Sequence, residues 1–314
     1  MSSDISKNLK IKLQDIRKRI PEIIVKVLLL LLLIGLAYIV LYPFLFKILS
    51  AFMSKDDLYD PMVGMIPIHW TLERFLNLLK NSEFLSSMFN SLLYSLIVAV
   101  CSTFSAAFVG YGLAKFNFKG RGIIFGLVVF TMLIPLQVVY LPLYTTFKFF
   151  DVFGIMSLFG SEGVSLIDTP LPMFILSIIS LGFRAGIYVI LMRQYYIGLP
   201  KELTEAAYVD GSTVMKTFWQ IILPMARSML IVIFSLSFAW QWTDTFYSGI
   251  LMSSTNLLPS VVQLMFVAPT GSEYYGTIVN ANTAALIAIL PLIVFYCFLQ
   301  KQIIQGIENS GIVG

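Results

Sequence analysis

Long stretches without charge constrain this chain more than any other feature. Twenty uncharged residues separate Lys26 from Lys47, and thirty-one separate Glu83 from Lys115. A hydrocarbon core about 30 Å thick needs about 20 helical residues to cross it. Four further blocks of similar length run from Gly122 to Phe147, from about Leu171 to Met192 (interrupted by Arg184), from about Ile222 to Thr243 (with Arg227 near its start) and from Tyr274 to Gln300. Buried helices of water-soluble proteins seldom stay apolar for so long. With 58% hydrophobic residues, 12% charged residues and a mean hydropathy of +0.86, the chain is expected to be an all-α, polytopic membrane bundle of six spans.

Charge sets the expected orientation. Seven basic residues, Lys7, Lys10, Lys12, Arg17, Lys18, Arg19 and Lys26, precede the first block. That block is too long for a cleaved signal and no small-residue cleavage site follows it, so it reads as an uncleaved anchor with the amino terminus inside. Alternating the loops from there puts 15 of the 21 lysines and arginines on the cytoplasmic side, the bias that orients membrane proteins. Both termini are then cytoplasmic. The net charge of +4 follows from this juxtamembrane bias and anionic lipid, and calls for no nucleic-acid partner. The expected layout is a cytoplasmic segment 1–26, a first span 27–48, a five-helix core 85–300 and a cytoplasmic tail 301–314.

Several chemistries are missing. No glycine is followed by lysine, so the chain has no Walker-type loop to cradle nucleotide phosphates. The single histidine, His69, falls in an outside loop and cannot build a zinc motif or a Ser/His/Asp set. Cys101 and Cys297 sit in apolar blocks and read as free thiols. No cofactor, metal site or catalytic residue is expected. An ion-coupled carrier would need a mid-membrane carboxylate. The one acidic candidate is Asp244, at the outer end of the fifth block, where a solvated carboxylate is the plain reading. Arg184 reads either as a partner for backbone carbonyls and a snorkelling side chain, or as a residue of a translocation pathway.

The longest predicted inside stretch runs from Arg193 to Pro224. Lys201 to Val209 are good helix formers behind Pro200, with Glu202 and Glu205 early, where the helix dipole favours anions. Gly211 offers a left-handed exit, and Asp210 or Ser212 can cap the next segment, Thr213 to Leu223. Ala206 and Ala207 form a patch without bulky side chains that another protein could approach closely.

Glu205-Ala206-Ala207, three residues, Gly211, nine residues, Ile221, one residue, Leu223-Pro224 resembles the EAA loop of binding-protein-dependent ABC importer permeases, led in by Leu199-Pro200-Lys201-Glu202. The segments Tyr111 to Gly120, Met132 to Pro142 and Gln300 to Gly314 resemble the carbohydrate-uptake branch, specifically the smaller maltose-type permease. One position departs: Trp242-Thr243-Asp244 stands where that branch carries Trp-Asn-Asp. The resemblance implies a MetI-like permease fold with a coupling loop at 197–221. It implies a second homologous permease, two cytoplasmic ABC ATPases that bind ATP and Mg, and an external sugar-binding protein, lipid-anchored or soluble, in a bacterial or archaeal cell membrane. Glu205 would pair with a basic socket residue on the ATPase, Ala206 and Ala207 would permit close packing, and Asp210, Gly211 and Pro224 would shape the loop. Gln137, Tyr140, Trp240, Gln241 and Trp242 offer amides and stacking faces of the kind sugar rings use, although aromatics near a membrane boundary also serve as interfacial anchors. Pro135 and Pro142 are expected to bend the third span. An ion-coupled secondary transporter or other multi-span carrier is the alternative reading.

Overall fold

The computed structural model describes residues 2–151, 154–158, 163–252, 257 and 274–311, by backbone alone at 2–22, 156–157, 274–276 and 306–311. The end of the expected tail, 312–314, lies outside the described residues. Among the described residues the structure is helical, with only two isolated bridges, Met53 to Trp70 and Phe150 to Val164, in place of strands. The chain divides into two units, 1–75 with 268–283 and 76–267 with 284–314.

In the first unit, α1 (Ser2–Ala51) is one uninterrupted 50-residue helix that runs through residue 26. From Val27 to Phe46 it is free of charge and exposed on every face. That is favourable in lipid, where the helix satisfies its own backbone groups. Beyond it, α2 (Lys55–Tyr59) is capped by Ser54, which accepts from the Asp57 amide. The buried Asp57 carboxylate accepts from the amides of Ile68 and His69, at 2.8 and 2.7 Å, and pairs with His69 Nδ1 at 2.8 Å. Burial pushes the Asp57 carboxyl up, but these hydrogen bonds together outweigh it and hold it below its ordinary range. His69 thus anchors a loop.

The second unit is built around α4 (Ser82–Lys115), a 34-residue helix whose amino end is capped by Asn81. Its buried residues include Ser87, Ser91, Ser95, Ala99, Ser102, Ala106 and Gly110, a stripe of small side chains at helical spacing. Small residues let helix backbones approach where lipid supplies no hydrophobic drive. Against α4 pack α8 (Leu171–Ile178), α9 (Ala185–Gly198) and α12 (Arg227–Trp242). The approach is closest at Gly110, where an added Cβ would lie 2.6 Å from Met192 Cβ and 3.0 Å from the Arg193 amide nitrogen.

The expected blocks fare differently. Among the described residues, three helices are long and apolar enough to cross a membrane unbroken: Ile23–Ala51, Ser82–Lys115 and Thr277–Gln305. The third block bends by 103° between α5 (Arg121–Thr131) and α6 (Leu136–Lys148). Pro135 is the residue that precedes α6, whereas Pro142 lies inside it, so the break coincides with the first proline. The fifth block starts later than expected. The segment α11 (Val214–Met225) meets α12 at 76°, and the kink falls at the buried Ala226. The fourth block is two helices, α8 and α9, because the chain leaves helical geometry at Ser180 and Arg184, both at φ 57°. Shorter helices, α3 (Glu73–Lys80), α7 (Ile155–Leu158) and α13 (Phe246–Leu251), fill connections, and α14 (Tyr274–Gly311) carries the last block on as helix into the expected tail.

The contact at Gly110 yields a stability prediction. Gly110→Ala places a Cβ against backbone-proximal atoms of α9 and should destabilise by about 1–3 kcal/mol through overpacking. Gly112→Ala, where nothing lies within 4 Å, should be neutral or stabilise by about 0.5–1 kcal/mol. Thermal unfolding of the detergent-solubilised protein checks both, and equal melting of the two variants would contradict close packing at Gly110.

Candidate functional site

The segment between α9 and α12 has its geometry fixed by backbone chemistry. The helix α10 (Glu202–Val209) follows Pro200 and Lys201, and Thr204 returns its hydroxyl to the Lys201 carbonyl at 2.8 Å. Pro200 therefore stands just before the first turn. At the other end the Gly211 amide donates to Tyr208 O at 3.0 Å and the Ser212 amide to Ala207 O at 2.9 Å. This is the paired closure of a Schellman turn, with Gly211 at φ 77° as the left-handed residue. The next helix is capped by Thr213, whose hydroxyl accepts from the Lys216 amide at 3.3 Å. The expected caps, Asp210 and Ser212, have other places: Asp210 ends α10, and Ser212 Oγ accepts from Thr217 Oγ1 at 3.0 Å.

The two alanines separate. Ala206 is exposed, but Ala207 is 6% exposed and faces inward with Thr204, three residues away on the same helix face. The exposed stripe is Glu202, Glu205, Ala206 and Val209, at the spacing of one helical face, and Val209 is 87% exposed. Val214 and Met215 continue exposed apolar surface past the turn. Sequence reasoning missed Val209, although its position four residues after Glu205 marked it.

The stretch that carries this exposed helix is tied to the bundle before α10 and again at the end of α11. Lys115, the last residue of α4, donates to the Leu199 carbonyl at 3.0 Å. Tyr195 of α9 donates to the Met225 carbonyl at 2.7 Å. Beneath lies an aromatic floor in which Tyr111 packs on Phe116, Tyr196 and Phe218. Phe218–Ile222 forms a π-helical turn in which the Leu223 amide reaches back to Phe218 O. Pro224 lacks an amide hydrogen, which breaks the ordinary ladder at this point and leaves room for the wider turn. Pro224 is exposed at the surface of that junction.

The residues weighed for a substrate path scatter. Gln137 and Tyr140 lie exposed on α6, the Tyr140 ring 6.4 Å from Phe246. Trp242 is 4% exposed and donates its indole N–H to Ala288 O at 3.0 Å, so it is a packed residue with its polar handle engaged. Gln241 is buried with neither amide atom partnered among the described residues. Trp240 is half-buried and stacks at 5.7 Å on Tyr188.

Asp244 corrects the sequence reading. It is 4% exposed, not solvated, and its carboxylate accepts from the amides of Phe246, Tyr247 and Ser248 and from the Ser248 hydroxyl. The chain turns after Trp242, and Asp244 caps the free amides of α13. Its oxygens are thus already engaged in a structural role.

Arg184 lies in the break between α8 and α9. Its guanidinium sits 4.4 Å from the Trp240 ring centroid and 5.3 Å from that of Phe183. No described carboxylate forms an ion pair with it. The break is held by α4, whose Ser105 hydroxyl donates to Ile178 O at 2.6 Å and pairs with the Ser180 hydroxyl. Arg184 faces a cavity of about 660 Å³ lined also by Thr131, Pro135, Ser180 and Tyr247. A charge within a membrane span costs about 2.5–3.5 kcal/mol, and cation–π stacking offsets about 0.5–2 kcal/mol of that. Among the described residues no cluster of three His, Cys, Asp or Glu side chains could hold a metal ion.

The turn at Gly211 is testable without an activity assay. Nothing lies within 4 Å of a Cβ built there, so a substitution meets only the backbone penalty of about 1–2 kcal/mol for a left-handed L-residue. Gly211→Val should raise tryptic cleavage at Lys201 and Lys216 in the solubilised protein, while Gly211→Asn should stay near wild type. Equal resistance in all three proteins would contradict a strained turn.

The chain has relatives among known permeases. The chain is 31% identical over 227 residues to the arabinooligosaccharides transport system permease protein AraQ of Bacillus subtilis (strain 168), covering 72% of this chain and 73% of that protein. It is 28% identical over 295 residues to the probable ABC transporter permease protein YurM of the same organism, covering 94% and 90%. A chain from the crystal structure of a bacterial ABC transporter involved in the import of the acidic polysaccharide alginate matches with a TM-score of 0.72 at 21% identity, over 88% of this chain and 96% of that one. At that identity the likeness speaks for the fold. Residues 106–309 match the family described as binding-protein-dependent transport system inner membrane component, and the chain therefore belongs to that family of ABC importer permeases.

Proposed function

We propose that this permease forms one half of the translocation path for a sugar or oligosaccharide. It acts with a second homologous permease, two ABC ATPases and an external binding protein that delivers the substrate. Relatives named for arabinooligosaccharide transport support the substrate class. The chain performs no chemistry itself; nucleotide and Mg belong to the ATPases, whose closure supplies the work.

One observation carries the coupling role: α10 presents an exposed face of Glu202, Glu205, Ala206 and Val209 while both of its flanks are bonded to the bundle. An ATPase groove that seats this face would pair Glu205 with a cation, admit the backbone beside Ala206 and bury Val209. Movement of the groove would then turn α9 and α12 with α10, since Tyr196 of α9, Phe218 of α11 and Met229 of α12 belong to one buried cluster around Tyr111, and alternate access across the membrane. In this reading α10 and both termini face the cytoplasm and the chain crosses six times; among the described residues, three unbroken helices and two bent pairs are long and apolar enough to support five of those crossings.

The test joins topology to assembly. Reporters after Gly211 and at Gly314 should read cytoplasmic, and a cysteine at Met62 should label from outside. The purified chain should hydrolyse no ATP alone and should co-purify with its ATPase. External labelling between Lys201 and Lys216 in intact cells, or hydrolysis by the isolated chain free of contaminants, would overturn the reading.

A further inference from the structure

We propose that the cavity at the break of the fourth span is a transit subsite for an acidic saccharide, with Arg184 as the residue that holds its carboxylate. The inference rests on the permease reading and adds a ligand chemistry to it.

Three independent features converge on this site. The first is an unpaired cation: the Arg184 guanidinium is exposed, lines the cavity and has no ion-pair partner among the described carboxylates. Its planar fork of N–H donors matches an oxyanion bidentately. The second is the break itself. The cavity is lined by Arg184, Ala185, Gly186 and Ile187 at the start of the 14-residue α9, and the positive end of a half-helix favours an anion. The Ser105 bond to Ile178 O anchors this break to α4, so the subsite is built into the bundle. The third is the wall. At about 660 Å³ the cavity falls within the roughly 300–1,000 Å³ of small-molecule sites. Tyr247 lines it with an aromatic ring, and the Thr131 and Ser180 oxygens, whose protons are engaged by Val128 O and Ser105, can accept from sugar hydroxyls beside the charge.

Trp240 completes the arrangement. By stacking under the guanidinium at 4.4 Å it fixes where the fork lies and leaves its donor edges available. Sugar hydroxyls can be served by amides and aromatic faces, whereas a carboxylate in a membrane span needs an opposite charge, and the guanidinium fork supplies it.

The test uses the complex of this chain with its second permease and ATPase in nanodiscs of neutral phosphatidylcholine, without binding protein. Saturation-transfer NMR is recorded with trigalacturonate and with maltotriose. Trigalacturonate should give a saturable, salt-sensitive signal well above that of maltotriose. Arg184→Asn, which tolerates the left-handed backbone, should weaken it roughly tenfold, the scale of one lost charge-assisted contact, and Arg184→Lys should retain most of it. Equal signals from the two sugars, no trigalacturonate signal, or indifference to Arg184→Asn would overturn the proposal. Loss of the wild-type signal in discs containing phosphatidylglycerol would overturn it in favour of a lipid headgroup. ATP hydrolysis is measured on the same preparations. A complex that hydrolyses normally yet shows no dependence on Arg184 refutes this subsite alone, whereas failure to assemble with an ATPase refutes the permease reading.

Discussion

The close approach of helices along α4 is the constraint on which the second unit depends. Lipid is as apolar as leucine, so burying apolar side chains between helices gains little in a membrane. What holds the bundle is packing at short range, and short range requires small side chains. The stripe from Ser87 through Ala99 to Gly110 provides it, letting α8, α9 and α12 lie against one helix. The same helix supplies Ser105 to the break in the fourth span and Lys115 to the turn before α10. One seam thus fixes the cavity at Arg184 and the attitude of the exposed helix.

That arrangement links two surfaces through a short path. From α10 the aromatic floor of Tyr111, Tyr196 and Phe218 leads into α4 and α9. At its other end α9 starts beside Arg184 and Gly186, where the Gly186 Cα lies so near α5 that a Cβ would meet Met132 and Val128 at 2.9 and 3.0 Å. A tilt imposed on α10 has little slack in which to dissipate, since packed interiors rearrange as bodies and do not deform continuously.

Much of this was legible in the sequence for a physical reason: long apolar blocks and a run of helix formers closed by glycine are local signals. Gly211 announced its own conformation, and the block between Glu83 and Lys115 announced α4. Properties set by tertiary neighbours were hidden. Ala207 and Ala206 are chemically identical, and only the packing of α10 puts one inside. Asp244 at a block end looks solvated until the turn after Trp242 brings three amides onto it. The break at Arg184 had a signal, a charge beside Gly182 in an otherwise apolar run, but its left-handed backbone could not be read from composition. The bend between α11 and α12 falls at Ala226, two residues after the Leu223-Pro224 step interrupts the ladder, a sequel visible only once the π turn is seen.

The central claim is that the exposed face of α10, and not its buried face, is what the ATPase grips. Cysteine cross-linking resolves the two faces one residue apart. In the assembled transporter with an otherwise cysteine-free chain, Ala206→Cys should cross-link to the ATPase through a short bismaleimide, and Ala207→Cys should remain unreacted. Cross-linking of Ala207→Cys in preference to Ala206→Cys, or of neither while the complex still hydrolyses ATP in response to loaded binding protein, would contradict the account.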